Sequence, residues 1–194
     1  MINWIKGASV QGDVQENYIV SGNHITANVN ADKIQPIIEH FMELNKDNPL
    51  FLFIEVPSNL KDEPDTETRH KDVYYLDGLS ADAFRQLLKP LYEILIHDGL
   101  SAFGIGNPFG DEIGKYKYNI MQLFCRPEML NQYSAMFQQE HIPETKHLVT
   151  AWDTFNEHSP GICNRYTDSQ NRTIYDIIKT LTDFGLYKAE QREE

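Results

Sequence analysis

The sequence is poor in cysteine, in long apolar runs and in basic residues. Its 194 residues include two cysteines, Cys125 and Cys163, which are too few for the disulfide framework of a small secreted protein. No run of about 18 apolar residues is present that could form a membrane-spanning helix. Residues 1–15 also lack the uninterrupted apolar core of a signal peptide. Together these absences favour a protein of the reducing cytoplasm.

Acidic residues far outnumber basic ones. The chain has 29 Asp and Glu against 17 Lys and Arg, which gives a formal net charge of −12 and a pI near 4.9. There is no cluster of Lys and Arg of the kind that neutralises phosphates, so we expect no direct binding to nucleic acid or to an anionic membrane. A negative surface can instead steer a basic protein partner into contact. The same charge would also serve solubility alone, so composition leaves both explanations open.

Motifs for metal ions and cofactors are absent. The seven histidines do not occur at the spacings of zinc-binding helices, and two cysteines add too little sulfur for a structural zinc site. The glycines of 104–110 do not match G-x-G-x-x-G, and a strand-like segment follows where a phosphate-binding loop needs a helix N-terminus. The acidic run at 62–67 departs from the spacing of a calcium-binding loop. We therefore expect no metal ion and no cofactor.

One weak set of catalytic candidates is centred on Cys163. This cysteine lies in a loop close in sequence to His158 and Asp168, and Arg165 in the same loop would favour its thiolate form. Members of a catalytic triad, however, usually come from different elements of a fold, so closeness along the chain is weak support. A partly buried structural thiol is the competing interpretation.

Hydrophobic periodicity divides the chain into short strands and amphipathic helices. Alternation indicates a β-hairpin at 17–29, turning at Ser21–His24. The nearly continuous apolar run at 50–56 predicts a strand buried on both faces, and further strands are predicted at 72–76 and 148–155. Helical spacing predicts four helices: one from Asp32 that ends within 45–48, one over 80–98 with a kink at Pro90, one from Pro127, and one from Thr173 to Gly185.

The segment 99–125 is predicted to form the centre of the sheet. It contains strands at 100–105 and 115–124, joined by a glycine-rich loop that we expect to use its glycines for tight turns. Alternation in the second strand predicts two faces. The side chains predicted to be buried are Tyr116, Tyr118, Ile120 and Phe124, and those predicted to meet solvent are Lys115, Lys117 and Asn119.

The resulting order of elements, ββαββαββαβα, predicts a single α+β domain. Its hairpin-like neighbours favour a mixed, largely antiparallel sheet with about four helices packed mainly on one face. Residues 24–56 and 72–106 share a weak strand–helix–strand pattern. Duplication of one unit would explain this pattern, although chance would explain it as well.

Three loops are the best candidates for a functional surface. They span 57–71, 106–114 and 156–172, and loops of this length on a compact scaffold tend to be functional. They combine acidic residues with the aromatic and arginine residues common at protein interfaces. The residues predicted to contact a partner are Asp62, Glu63, Asp65, Glu67, Arg69, Phe109, Asp111, Glu112, Glu157 and Tyr166.

These patterns lead to three hypotheses for function, and no motif assigns a family. The first is an acidic, cytoplasmic protein-binding module that engages a basic protein, as bacterial immunity and antitoxin-type inhibitors do. The second is a cysteine-dependent hydrolase or transferase that uses Cys163 with a histidine. The third is a homodimeric structural or regulatory module. A salt-sensitive protein partner would favour the first hypothesis, a reactive thiol the second, and a dimer in solution the third.

Overall fold

The computed structural model describes residues 2–58 and 70–193. The helices in these ranges are α1 (Ala31–Leu44), α2 (Ala81–Leu88), α3 (Tyr92–His97), α4 (Leu130–Gln139) and α5 (Ile174–Thr182). The strands are β1 (Ala8–Ser9), β2 (Asn17–Ser21), β3 (His24–Asn28), β4 (Leu50–Pro57), β5 (His70–Leu79), β6 (Ala102–Gly106), β7 (Glu112–Lys115), β8 (Ile120–Phe124), β9 (Ile162–Cys163) and β10 (Tyr187–Glu193).

Eight of these strands form one sheet in which every pair of neighbours is antiparallel. Their order across the sheet is β10-β5-β4-β6-β7-β8-β3-β2. The short strands β1 and β9 form a separate two-stranded sheet, with Ala8 opposite Cys163. The predicted α+β class with a largely antiparallel sheet is therefore confirmed.

The helices cover one face of the large sheet, which we call the inner face, and we call the opposite face the outer face. Side chains alternate between the two faces along each strand. Inner-face side chains of the central strands join all five helices in one hydrophobic core; those of the sheet include Leu52, Ile54, Phe103, Ile105, Ile113, Met121 and Leu123. Outer-face residues such as Phe53 and Ile120 are buried, but they lie outside this core.

The predicted hairpin and the predicted central strand are both present. Ser21 pairs with His24, and Gly22 between them has a φ of 61°, which suits the tight turn of a two-residue loop. β4 lies between β5 and β6, and its residues Leu52, Phe53 and Ile54 are all buried. Burial on both faces explains why this strand reads as an almost continuous apolar run.

Pro90 interrupts the helix predicted over 80–98. Ser80 caps α2 by accepting a hydrogen bond from the N–H of Ala83 at 3.3 Å. α2 ends at Leu88 and α3 begins at Tyr92, because proline has no N–H with which to continue the helical hydrogen bonds. The predicted kink is thus a complete break between two short helices.

The prediction of one continuous strand over 115–124 is wrong. The chain leaves β7, reverses through a 3₁₀ turn at Lys117–Asn119, and returns as β8 paired with β7. Tyr118 and Asn119 have φ values of 57° and 60°, a conformation that non-glycine residues adopt rarely. Asn119 stabilises the turn by accepting a hydrogen bond from the N–H of Ile5 and by donating to the carbonyl oxygen of Val29.

The apolar segment 148–155 contains a 3₁₀ helix, Ala151–Thr154, where a strand was predicted. Thr150 and Asp153 form a capping box at its start, with the Asp153 carboxylate 2.8 Å from the N–H of Thr150. Trp152 and Phe155 pack edge-on against each other and against Tyr118. The aromatic residues of this segment therefore form a cluster with the reversal at Tyr118.

The two segments with the weak repeat form comparable units, β3–α1–β4 and β5–α2–α3–β6. Their positions in the sheet differ. β4 lies directly between β5 and β6, whereas three strands separate β3 from β4. Duplication of one unit stays a prediction.

Candidate functional site

The register of the sheet places a row of polar and aromatic residues at one end of the outer face. Phe51 of β4 is paired with Asp77 of β5 and with Gly106 of β6, and Gly106 is paired with Glu112 of β7. The pairing continues from Glu112 to the last residue of β8 and from there to the first residue of β3. We call this set the hairpin-end row: Asp77, Phe51, Glu112, Phe124 and His24.

On the outer face, phenylalanine rings of β4 lie over two glycines of β6. A Cβ atom on Gly106 would lie 2.3 Å from Cζ of Phe51, and one on Gly104 would lie 2.4 Å from Cε1 of Phe53. These glycines therefore let aromatic rings approach the backbone. Within 104–114, Gly110 alone has a positive φ, of 104°. The predicted use of the loop glycines for tight turns holds for Gly110 and is wrong for Gly106 and Gly114, which lie in β6 and β7.

A buried polar network holds the turn between β6 and β7. The carboxylate of Asp111, which is fully buried, accepts hydrogen bonds from the Arg126 guanidinium at 2.7 Å and from the Arg126 N–H at 2.8 Å. The amide of Asn107 donates to the same carboxylate at 3.1 Å and accepts from the N–H of Phe109 at 2.8 Å. Burial raises the pKa of Asp111, but the hydrogen bonds from Arg126 outweigh it, so this pKa is below its usual value.

Phe109 lies at the tip of this turn and is 55% exposed. The guanidinium carbon of Arg126 lies 5.7 Å from the centre of its ring, in a cation–π arrangement. Of the two predicted contact residues in this turn, Phe109 is therefore accessible to a partner, and Asp111 is enclosed by its own network. The position of Asp111 excludes it from direct contact in this structure.

Glu112, the next residue, has a half-buried side chain on the outer face. Its carboxylate forms no hydrogen bond and no ion pair within residues 2–58 and 70–193. Burial, with a contribution from the Glu55 carboxylate, raises the pKa of Glu112. Its cross-strand neighbour Phe124 is 44% exposed, and the ring of His24 stacks on Phe124 with centroids 4.2 Å apart. Burial lowers the pKa of His24, which favours its neutral form.

A cleft of about 240 Å³ lies at the other end of the outer face. Its lining offers aromatic rings and charges of both signs; it includes Glu55, Lys71, Ser101, Tyr116, Gln122 and Trp152. Glu55 is paired with Arg192 at 3.4 Å. The hydroxyl of Ser101 is buried and has no hydrogen-bond partner in the described part of the chain. These features suit a small amphipathic group, although nothing in the lining selects one chemical class.

The described parts of the three predicted loops lie at two different ends of the sheet. The 106–114 turn lies at the Phe51 end of β4. Pro57 and His70, which flank residues 59–69, lie at the opposite end, where β4 pairs with β5. The 156–172 segment contacts this second end through Tyr166, whose N–H donates to the Asp98 carboxylate at 3.1 Å.

The other predicted contact residues have different surroundings. The hydroxyl of Tyr166 donates to Glu93 at 2.6 Å and accepts from Lys6 at 2.9 Å, so this half-buried side chain links three segments of the fold. Glu157 is exposed. The remaining predicted contact residues lie outside the described residues: Asp62, Glu63, Asp65, Glu67 and Arg69.

The structure does not bring the catalytic candidates together. Burial raises the pKa of the half-buried Cys163 thiol, and the hydrogen bond from Tyr118 opposes this effect only in part. His158 is exposed, and the Asp168 carboxylate is paired with Arg172 at 2.8 Å. In the described part of the chain, neither His158 nor Asp168 is hydrogen-bonded to Cys163.

The burial of three side chains differs from the sequence-based prediction, and one of them is Asn119, which was predicted to meet solvent and is fully buried. Phe124 was predicted to be buried and is exposed, because Leu123 and not Phe124 faces the core. Lys115 was predicted to meet solvent and is fully buried, with its ammonium bound by the carbonyl oxygens of Asp98 at 2.6 Å and Ser101 at 3.3 Å. Burial lowers the pKa of Lys115 to about 8, and the charge of Asp98 opposes this effect.

Comparisons with known proteins do not assign a function, so the proposal below depends on the geometry of the structure. The chain matches no protein-family model, no curated protein and no solved structure. Among residues 2–58 and 70–193, no group of three or more His, Cys, Asp or Glu side chains is placed to hold a metal ion. None of the helices in the same ranges is both long enough and apolar enough to cross a membrane.

Proposed function

We propose that this protein is an acidic, cytoplasmic protein-binding module that binds a basic partner protein at the hairpin-end row of its outer face. The observation that carries this proposal is the state of Glu112. Its carboxylate is half-buried on the outer face and forms no ion pair with any of the described residues. Keeping a carboxylate away from water without a partner is unfavourable. A cationic side chain from another protein would compensate for that loss of solvation.

The aromatic residues around Glu112 also support a protein interface. Phe124 is in the same row and Phe109 is at the adjoining turn, and both are exposed. Large aromatic side chains beside charged groups are typical of the residues that dominate interface energies. The buried network of Asp111 and Arg126 holds the turn before any partner arrives, which reduces the entropy lost on binding.

The net charge of −12 supports the choice of a basic partner. Opposite charges accelerate association and disfavour acidic competitors. A bacterial inhibitor of the immunity or antitoxin type would use such a surface to cover the functional site of a basic protein. We propose this role as the finer form of the function.

The proposal is tested by substituting one exposed residue of the row. Phe124→Arg places a positive charge beside Glu112, and Phe184→Arg is a matched control because Phe184 is also exposed but follows α5. Proteins captured from the host lysate by wild type would be identified, purified and titrated calorimetrically at low and high ionic strength. We expect Phe124→Arg to abolish binding and Phe184→Arg to preserve it. A basic partner that binds both variants equally would exclude this surface.

A further inference from the structure

Two carboxylates adjacent in sequence have opposite surroundings. Asp111 is paired with the guanidinium of Arg126, and this guanidinium also lies over the ring of Phe109. Glu112 has a cross-strand aromatic neighbour, Phe124, and is paired with no guanidinium of the described residues. The chain thus contains one complete set of carboxylate, guanidinium and aromatic ring. Glu112 and Phe124 form a second carboxylate and aromatic ring, on the outer face, with no paired guanidinium among the described residues.

We propose that Glu112 and Phe124 bind the guanidinium group of an arginine side chain supplied by the partner protein. This inference rests on the proposed function and names the chemistry of the group that the hairpin-end row recognises.

The geometry of the pair favours arginine over lysine. Cβ atoms of directly opposed residues on antiparallel strands lie about 4.5–5.5 Å apart, so one side chain can contact both Glu112 and Phe124. A planar guanidinium can donate two hydrogen bonds to the carboxylate and stack on the ring, whereas an ammonium is a point charge. The parallel stack with His24, at an angle of 2°, fixes the orientation of the Phe124 ring.

The charged groups near Glu112 do not supply the missing cation. Arg192 is a cation whose charge acts on Glu112, and it is engaged with Glu55 and Glu190 on the β10 side of the sheet. Arg126 is engaged with Asp111. The neutral form of His24 is favoured by burial. An arginine from outside the chain would therefore meet a carboxylate that has no competing partner in the described residues.

The test compares blocked peptides of six arginines and six lysines by isothermal titration and by NMR shifts of the full chain. We expect the arginine peptide to bind wild type roughly fivefold more tightly than the lysine peptide. Glu112→Gln should weaken the arginine peptide by about tenfold, with the largest NMR shifts in wild type at residues 112 and 124. The matched control Glu157→Gln, at an exposed carboxylate, should change the affinity by less than about twofold.

The outcomes separate the inference from the proposed function. Equal weakening by Glu112→Gln and Glu157→Gln would show a general charge effect and overturn the inference. Equal affinity for the two peptides would also overturn it. Binding of the identified partner that is lost in Phe124→Arg but retained in Glu112→Gln would uphold the docking surface and reject the arginine site. Partner binding retained in both variants would reject the docking surface as well. Circular dichroism of each variant verifies that it is folded.

Discussion

The side-chain nitrogen of Lys115 lies 2.6 Å from the main-chain oxygen of Asp98, and no part of the lysine reaches solvent. Asp98 follows the last residue of α3, so the ammonium caps the carbonyl end of that helix. The Asp98 carboxylate accepts hydrogen bonds from the N–H groups of Leu100 and Ser101. One lysine therefore anchors the turn that leads from α3 into β6.

The stability contributed by Lys115 should depend on pH. Its folded pKa is about 8, against about 10.4 in an unfolded chain, so the unfolded state binds more protons between these values. Stability should rise through this window, and the gain should be lost as pH falls to the folded pKa. We expect the unfolding free energy of wild type relative to Lys115→Met to increase by about 3 kcal/mol across the window. Urea unfolding at several pH values measures this difference.

The control for that experiment is Lys179→Met, because Lys179 is exposed on α5. Its difference from wild type should stay constant over the same window. A flat difference for Lys115→Met would contradict the lowered pKa and would mean that the buried ammonium is solvated as well as it would be in water.

Asp111→Asn should strongly destabilise the protein. The substitution removes the charge that the buried Asp111 carboxylate presents to the partly exposed Arg126 guanidinium, and leaving buried polar groups without their hydrogen-bond partners costs about 1–3 kcal/mol. Because the pKa of Asp111 is lowered by folding, its contribution is complete above its unfolded pKa and disappears as pH falls through the folded pKa. Urea unfolding near neutral pH gives the loss, with Asp183→Asn at an exposed site as control. Equal stability of the two variants would count against the network.

The glycines under the phenylalanine rings should differ in their tolerance of alanine. At Gly104 an added Cβ would lie 2.2 Å from the backbone oxygen of Ile113, whereas at Gly106 the obstacles are atoms of the Phe51 ring. A ring can move aside, whereas the backbone of a paired strand cannot. We therefore expect both substitutions to lower the unfolding free energy by about 1–3 kcal/mol, and Gly104→Ala to lower it more than Gly106→Ala. Adding Phe51→Leu should recover part of the loss at Gly106. Additive effects in that double-mutant cycle would refute this explanation.

The thiol of Cys163 should react slowly in the folded protein. Burial raises its pKa, and the more deeply buried Cys125 has a pKa raised to about 11, so little of either is thiolate at neutral pH. Iodoacetamide labelling of Cys125→Ser, which isolates Cys163, should be slower than labelling of the same variant in urea. Labelling faster than in urea would restore the hypothesis of a cysteine-dependent enzyme.

Local patterns were sufficient where structure is determined by neighbours in sequence. The turn at Gly22 and the break at Pro90 follow from residues whose backbone preferences are strong. The apolar run of β4 indicated its central place in the sheet because a strand with two neighbours and two covered faces has few polar positions.

The errors arose where distant residues decide the outcome. Lys115 is buried because the carbonyl oxygens of residues 98 and 101 accept hydrogen bonds from its ammonium. The alternation of polar and apolar residues along β7 cannot predict these distant contacts. The reversal at Tyr118 depends on hydrogen bonds between Asn119 and the segments near Ile5 and Val29. Such contacts override local propensity. The exposure of Phe124 was missed for the same reason, since the reversal sets the phase of β8.

The pairing of β8 has a consequence for how the outer face could change. A shift of this strand by one residue would move Phe124 inward and Leu123 outward, since successive side chains point to opposite faces. Leu123 is completely buried, so any such slip would unpack the interior at the same moment as it erased the row beside Glu112. The packing of Leu123 in the core therefore determines which side chains of β8 lie on the outer face. A substitution in the hairpin-end row can change its binding properties without disturbing the core. An insertion in β8 would disturb both, because it shifts the register.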